Sequence, residues 1–394
     1  MNYGVVAEFN PFHNGHRALL SALKADGASA VVAVMSESFV QRGEPACAPV
    51  PERVRAALEN GVDVVLSLPL PYAVASAETF AFGGVAALDA FGALDAVAFG
   101  SECGDAELLQ KVAASLESEE LHPLLENRLA EGLSFPTARQ KALANLYGED
   151  FAAVLRSPND LLGVEYCKAL RALGSPLGVR AVKRKGVAHD APRPEGEYLS
   201  GSAIRARLPD GDWQAYMPDG GKWLRDAIDA GRAPASAERI ESAVLTTLRR
   251  MGPADFAALP DVTEGLEHRL YAAVRSETSV KAILDAVKTK RYTYSRLRRI
   301  VLCAYLGVTR DDVPAYPPYI RVLGFRRESG GELLKQAKEK ATLPLVTRFA
   351  DVPALGGEAE HLFALECRAR DLYGPALPAG EPCGREMSDR LILV

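Results

Sequence analysis

Hydrophobic residues in the first half of the chain follow two rhythms. Short apolar runs at 3–7, 30–35, 62–66 and 96–99, the third interrupted by Asp63, alternate with stretches at 15–25, 51–60 and 77–91, where apolar residues recur at helical spacing. The runs are rich in β-branched residues and bounded by glycine or polar residues, as strands covered on both faces should be. Strand, helix and strand repeated in this order give right-handed crossovers and a parallel sheet. Such sheets take ligands at the carboxyl ends of their strands. Residues 105–172 carry leucine and alanine at helical spacing, and 177–182 reads as one more strand. The charged, Gly- and Pro-containing stretch 183–197 reads as a long loop, and Ser200 is placed to cap a helix over 200–208.

Proline, aspartate and glycine cluster at 210–222, and a boundary is expected there, dividing the chain into units 1–215 and 216–394. Residues 223–310 are helix-rich and locally basic. Residues 313–394 mix short strands with a helix around 331–340 and a Pro/Gly-rich stretch at 374–384. The expected fold is therefore α/β, a doubly wound parallel sheet followed by a largely helical C-terminal region. There is no internal repeat and no low-complexity segment.

Composition narrows the classes. The chain has 394 residues, more than one domain usually holds, with 48% hydrophobic and 25% charged residues. No apolar run approaches the roughly 20 residues of a bilayer span. The N-terminus has no basic segment ahead of its first apolar run, so a signal peptide is not expected and a cytoplasmic location is. Cysteines stand at 47, 103, 167, 303, 367 and 383 with no CxxC pair and no histidine at ligand spacing, which predicts free thiols and no zinc or other metal site. The net charge of −5 excludes a generic polyanion binder, so any RNA contact must be a local basic patch.

Candidate chemistry begins directly after the first run. Residues 8–16 read Glu-Phe-Asn-Pro-Phe-His-Asn-Gly-His. Pro11 and Gly15 mark a turn, and the helix that follows offers free N–H groups and the positive end of its dipole, which suits phosphate. His13 and His16 are three residues apart, so one helical turn puts both on one side. Two imidazoles there can donate hydrogen bonds to phosphate oxygens as charge builds in a transition state. A metal held by the pair would lack a nearby third ligand.

The His-Asn-Gly-His of 13–16 resembles the HxGH signature of nucleotidyltransferases and class I aminoacyl-tRNA synthetases. The longer string 8–16 is similar to that of the bacterial tRNA(Met) cytidine acetate ligase family. Other blocks resemble the same family: Phe-Val-Gln-Arg-Gly-Glu-Pro-Ala at 39–46, Phe-Gly-Ser-Glu at 99–102, Ser-Pro-Asn-Asp-Leu-Leu-Gly at 157–163, Lys183-Arg184 followed by His189-Asp190, Ser-Gly-Ser-Ala-Ile-Arg at 200–205, Thr-Lys-Arg-Tyr-Thr at 289–293, and Tyr-Ile-Arg-Val-Leu-Gly-Phe at 319–325. Glu37 departs from the family's usual glycine, the loop between Arg184 and His189 is one residue short, and residues 48–52 lack an acidic-basic pair. The resemblance implies that ATP and acetate give acetyl-adenylate, and that the acetyl group passes to N4 of the wobble cytidine of elongator tRNA(Met). It implies His13 and His16 as catalytic residues. The nucleotide contacts it implies are Ala7, Glu8, Phe9, Asn10, Pro11, Phe12, His13, Asn14, Gly15, His16, Gly100, Asn159, Arg184, Ser200, Ser202 and Arg205. Magnesium would be bound through the nucleotide and water. On the residues alone, Gly100 either lets the nucleotide approach or simply ends a strand. Gln41 and Arg42 face the acetate, the tRNA or only solvent.

Transfer to tRNA needs an RNA surface. Residues 288–299 read Lys-Thr-Lys-Arg-Tyr-Thr-Tyr-Ser-Arg-Leu-Arg-Arg, basic and without an acidic residue. Lys290, Arg291, Arg296, Arg298 and Arg299 could track phosphates, and the interleaved Tyr292 and Tyr294 could stack on unpaired bases. The rival reading is a small-molecule nucleotidyltransferase that adenylates a phosphorylated metabolite. It would share the histidine pair but would not need the basic C-terminal half. A non-catalytic tRNA-binding protein would not need the intact pair, and a class I synthetase would need a KMSKS-like lysine motif, which is missing.

Overall fold

The computed structural model describes the whole chain except residues 185–192 and 264. The strands are β1 (Asn2–Ala7), β2 (Ala30–Ser36), β3 (Phe39–Val40), β4 (Glu44–Pro45), β5 (Val64–Leu68), β6 (Ala96–Ser101), β7 (Gly178–Lys183), β8 (Ile320–Phe325), β9 (Leu345–Val346) and β10 (Ile392–Leu393). The main sheet runs β10-β8-β5-β2-β1-β6-β7, with β9 paired to β8. Strands β1, β2, β5, β6 and β7 are parallel, and β8 runs antiparallel against β5. β3 and β4 form a separate antiparallel hairpin.

Alternation along the strands sorts the core into two layers. Val32, Val34, Val64 and Leu66 face a layer that includes the helices Ala77–Phe91 and Pro158–Ala172. Val31, Ala33, Met35 and Val65 face the other, with the helices Asn14–Ala25 and Val50–Glu59 and the buried Trp213 and Trp223. This is the doubly wound arrangement expected from the apolar runs. A third core, built by residues such as Val244, Leu270, Ile283 and Ile300, belongs to the C-terminal helices and also takes in Phe39, Leu70 and Val74. Among the described residues no helix is long and apolar enough to cross a membrane.

The third predicted strand starts later than its apolar run suggests, at Val64 rather than Val62. Asp63 leaves the strand because its buried carboxylate accepts the Val31 N–H at 2.8 Å and the Ser329 hydroxyl. The helix expected over 200–208 ends at Arg205. Most of the expected loop at 183–197, with His189 and Asp190, lies outside the described residues.

β8 brings a buried charge cluster to the sheet. Arg321 pairs with Glu37 at 3.1 Å and with Glu386, and its guanidinium stacks 3.7 Å from the Phe349 ring centre. The Tyr319 hydroxyl donates to Glu366 at 2.7 Å. Three carboxylates thus crowd one largely buried guanidinium. Burial, reinforced by the neighbouring Glu37 charge, pushes Glu366 up to about 8 and Glu386 up to about 7, against an ordinary value of 4.5. Glu37 is held by Arg321 and by a hydrogen bond from Ser67.

The sign of the pH effect follows. Between about pH 4.5 and about pH 8 the folded chain holds protons that the unfolded chain has released, so stability falls as pH rises through that window. Glu366→Gln should flatten that part of the profile. Denaturant titrations of both proteins across the window test it, and parallel profiles would contradict the assignment.

Candidate active site

The parallel strands deliver their carboxyl ends to one edge of the sheet, and the candidate residues gather along it. β1 ends at Ala7, and residues 8–13 turn into the helix Asn14–Ala25. Phe9 lies in the left-handed region with φ 46°, uncommon for a bulky residue. Its ring is buried and packs 5.1 Å from both the Phe12 and the His16 rings, which pins the turn. Pro11 follows Asn10 within this turn.

His13 caps the helix. Its Nδ1 accepts the Gly15 N–H at 3.1 Å, and the Nδ1 of His16 accepts the His13 N–H at 3.2 Å. In a neutral imidazole whose Nδ1 accepts, the proton sits on Nε2. Both rings are therefore held as Nε2–H tautomers, stacked with centres 3.8 Å apart. A Cβ on residue 15 would lie 2.9 Å from Cε1 of His13, so glycine is what allows the ring to fold back.

The second motif lies against the first. Ser200 caps the short helix Gly201–Arg205 by accepting the Ala203 N–H, and it is within 3.2 Å of the Ser202 hydroxyl. Arg205 donates to the Asn10 carbonyl at 2.8 Å. A Cβ on Gly201 would stand 3.7 Å from the His13 ring. Asn14 is buried, and its amide donates to the carbonyls of Glu197 and Ala215. Residues 8–16 and 200–205, far apart in sequence, thus form one wall.

Strand β6, next to β1, supplies the other side. The aliphatic stem of Arg184 packs over Gly100, with Cγ 3.3 Å from where a Cβ would sit. Burial lowers the Arg184 pKa, and Glu102 opposes the shift. Asn159, in the first turn of Pro158–Ala172, donates to Glu102, which also accepts the Asp160 N–H at 3.0 Å. Gly100, Asn159 and Arg184 are therefore neighbours. Ala7 and Glu8 stand at the end of β1, between the two walls. Burial raises the Glu8 pKa, and the Gln41 N–H, Arg205, Arg42 and Arg53 counter it.

The RNA candidates divide. Lys290, Arg291 and Arg298 are exposed. Tyr292 and Arg299 are buried: Tyr292 packs in the helical core, and Arg299 pairs with Asp261 at 3.0 Å. Arg296 is half-buried and donates to the Asp261 carbonyl. The exposed ring of the segment is Tyr294. The segment faces two ways because 294–306 is a helix, and helical spacing turns Arg299 inward with Leu297 and Ile300.

Arg53 was not singled out by sequence reasoning. It is fully buried, and its guanidinium donates to the carbonyls of Ala48 (3.0 Å), Glu8 (2.7 Å), Ser36 (2.9 Å) and Glu37. It ties the end of β1 to the end of β2. The available signal was an arginine on the apolar face of its helix.

The family model for HIGH nucleotidyl transferase matches residues 1–387, and the fold and turn just described define a nucleotidyltransferase of that type. A tRNA(Met) cytidine acetate ligase of Caldanaerobacter subterraneus is 37% identical over 380 residues, covering 94% of each chain. One from Caldicellulosiruptor saccharolyticus is 38% identical over 379 residues, 94% of this chain and 92% of that one. The crystal structure of apo Thermotoga maritima TmcAL superposes with a TM-score of 0.95 at 34% identity, covering 100% of this chain and 99% of that one. A form of the same protein bound with α-thio ATP gives 0.92. The chain belongs to the HIGH nucleotidyltransferase family and, within it, to the tRNA(Met) cytidine acetate ligases.

Arg53 yields a stability prediction. Arg53→Met strands four carbonyls without donors, each worth about 1–3 kcal/mol when left unsatisfied in a buried site. The summed loss, about 4–12 kcal/mol, is comparable to the about 5–15 kcal/mol by which domains are stable, so the variant should be severely destabilised. Arg53→Lys keeps the charge but not the planar fork, and should lose about 2–4 kcal/mol. Thermal and denaturant unfolding measure both. Wild-type stability in Arg53→Met would show that the clamp is dispensable, and in Arg53→Lys that its planar fork is.

Proposed function

We propose that this chain joins acetate to ATP as acetyl-adenylate and transfers the acetyl group to N4 of the wobble cytidine of elongator tRNA(Met). The observation that carries the reading is the stacked His13–His16 pair, held as Nε2–H donors at a helix N-terminus and walled by the 200–205 motif. The substrates come from the names of the relatives, and the presence of an ATP analogue on a protein of this fold supports the nucleotide.

Acetate is ionised at neutral pH, so its oxygen attacks the α-phosphorus without a general base, and pyrophosphate leaves. The site has to hold two anions together and stabilise the charge that develops. The helix N-terminus, the two Nε2–H groups, Arg184 and Arg205 would do this. Residues 7–12, Asn14, Gly15, Gly100, Asn159, Ser200 and Ser202 would shape the pocket around the nucleotide. Magnesium would come with the nucleotide and offset part of its phosphate charge, with Arg184 and Arg205 facing the same phosphates from the protein side. In the second step the cytidine N4 attacks the acetyl carbonyl, AMP leaves, and the amine loses a proton. The exposed Lys290, Arg291 and Arg298, with Tyr294, are the RNA contacts that burial leaves open.

Acetate-dependent exchange of pyrophosphate into ATP reads the first step alone. His13→Ala and His16→Ala should each slow it by roughly 10²–10³, the usual cost of one preorganised donor. Unchanged exchange in both would remove the proposed role. Neutralising Lys290 and Arg291 together should leave exchange intact and reduce the salt slope of tRNA affinity by about 2, close to one unit per lost phosphate contact. An unaltered slope would make those two residues a solvated face.

A further inference from the structure

The hairpin β3–β4 stands between the nucleotide wall and the basic helix, and one carboxylate on it faces both. Glu44 Oε1 lies 2.8 Å from Nη1 of Arg298, and its Oε2 lies 3.9 Å from Nη2 of Arg205. Arg205 also holds the Asn10 carbonyl beside the histidine turn. Arg298 sits on the first turns of Tyr294–Leu306 with its side chain about half exposed, at 47%.

The hairpin backbone has little room to move. The Gln41 N–H donates to Glu8 at 2.7 Å. Phe39 is buried edge-on against Tyr373, ring centres 5.9 Å apart. Gly43 adopts φ 77°, and a Cβ there would lie 2.7 Å from the backbone of Arg298 and Arg299, so hairpin and helix touch main chain to main chain. The Glu44 side chain, 31% exposed, can therefore redistribute between its two cations without any shift of the backbone beneath it.

We infer that Glu44 is a positioning residue that sets the triphosphate and the RNA in opposition. The inference rests on the proposed function, in which Arg205 meets nucleotide phosphate and Arg298 meets an RNA phosphate. An RNA phosphate on Arg298 displaces Glu44 toward Arg205 and lowers the positive field there. A triphosphate on Arg205 repels Glu44 toward Arg298 and masks the RNA site. Each ligand weakens the other, and linkage makes the two factors equal. RNA would then settle as pyrophosphate departs, which places the two half-reactions in order.

The test uses the full chain without acetate, an ATP analogue with a methylene between its α- and β-phosphates, and a tRNA(Met) transcript. The affinity of each is measured alone and with the other saturating, in wild type and in Glu44→Gln. In wild type each ligand should weaken the other by the same factor, roughly two- to fivefold, the range that a partly exposed ion pair supports. In Glu44→Gln the factor should fall to about one, and each ligand alone should bind at least as tightly as before, because a competing anion is gone. A purely structural glutamate would give the opposite, weaker binding of both. Independent binding in wild type overturns the inference whatever the variant does. So does antagonism that persists in Glu44→Gln, which would make it simple repulsion between the two polyanions. Failure of wild type to bind either ligand would instead bring down the proposed function, and the inference with it.

Discussion

The buried Arg53 guanidinium donates to four backbone carbonyls where β1 and β2 end. Strand ends in a parallel sheet leave carbonyls pointing past the last ladder bond, and in a closed core those groups need donors. A planar fork of N–H groups satisfies several at once, which an ammonium could not do with the same geometry. Burial opposes the charge and lowers the Arg53 pKa, but arginine keeps its proton. Because Glu8 and Glu37 share this clamp through their carbonyls, the turn after β1 and the loop after β2 have fixed positions relative to each other.

The site is built on that fixed edge. The Phe9 ring wedges under His16, the two Nδ1 atoms are consumed by backbone N–H groups, and the polarity of the imidazole pair is thereby set. Arg205 reaches the same turn through the Asn10 carbonyl. Glu8, at the end of β1, takes the Gln41 N–H and so anchors the hairpin that contacts the basic helix. The proposed function would bring two substrates of like charge to this one edge of the sheet, with Glu44 placed between the arginines assigned to each.

Much of this was legible in residue order. Apolar, β-branched runs gave four of the five parallel strands, because strands buried on both faces have little polar alternation, while the largely exposed edge strand β7 was read from a weaker pattern at 177–182. The helix Ala77–Phe91 was read with its observed ends, since Ser76 caps it and Gly92 closes it. The string 8–16 marked the turn, because proline, glycine and two histidines directly after a strand have few other uses. Three features were hidden. The antiparallel insertion of β8 beside β5 is a pairing of residues far apart in sequence, which local pattern does not encode. Arg53 looked like one more charged residue on a short helix until its four acceptors were in view. The basic run 288–299 read as a single surface, but helix periodicity buries Arg299 with Ile300 and leaves Arg298 outward.

The central claim is that the chain activates free acetate with ATP and delivers it to one tRNA cytidine. Purified protein with ATP, magnesium, isotopically labelled acetate and tRNA(Met), followed by nuclease digestion and mass spectrometry of the nucleosides, measures this directly. The account expects labelled N4-acetylcytidine from a single anticodon position, with AMP formed in equal amount. Unlabelled tRNA, together with an adenylated small molecule when the protein is supplied with a metabolite extract, would contradict it and assign the histidine pair to AMP transfer instead.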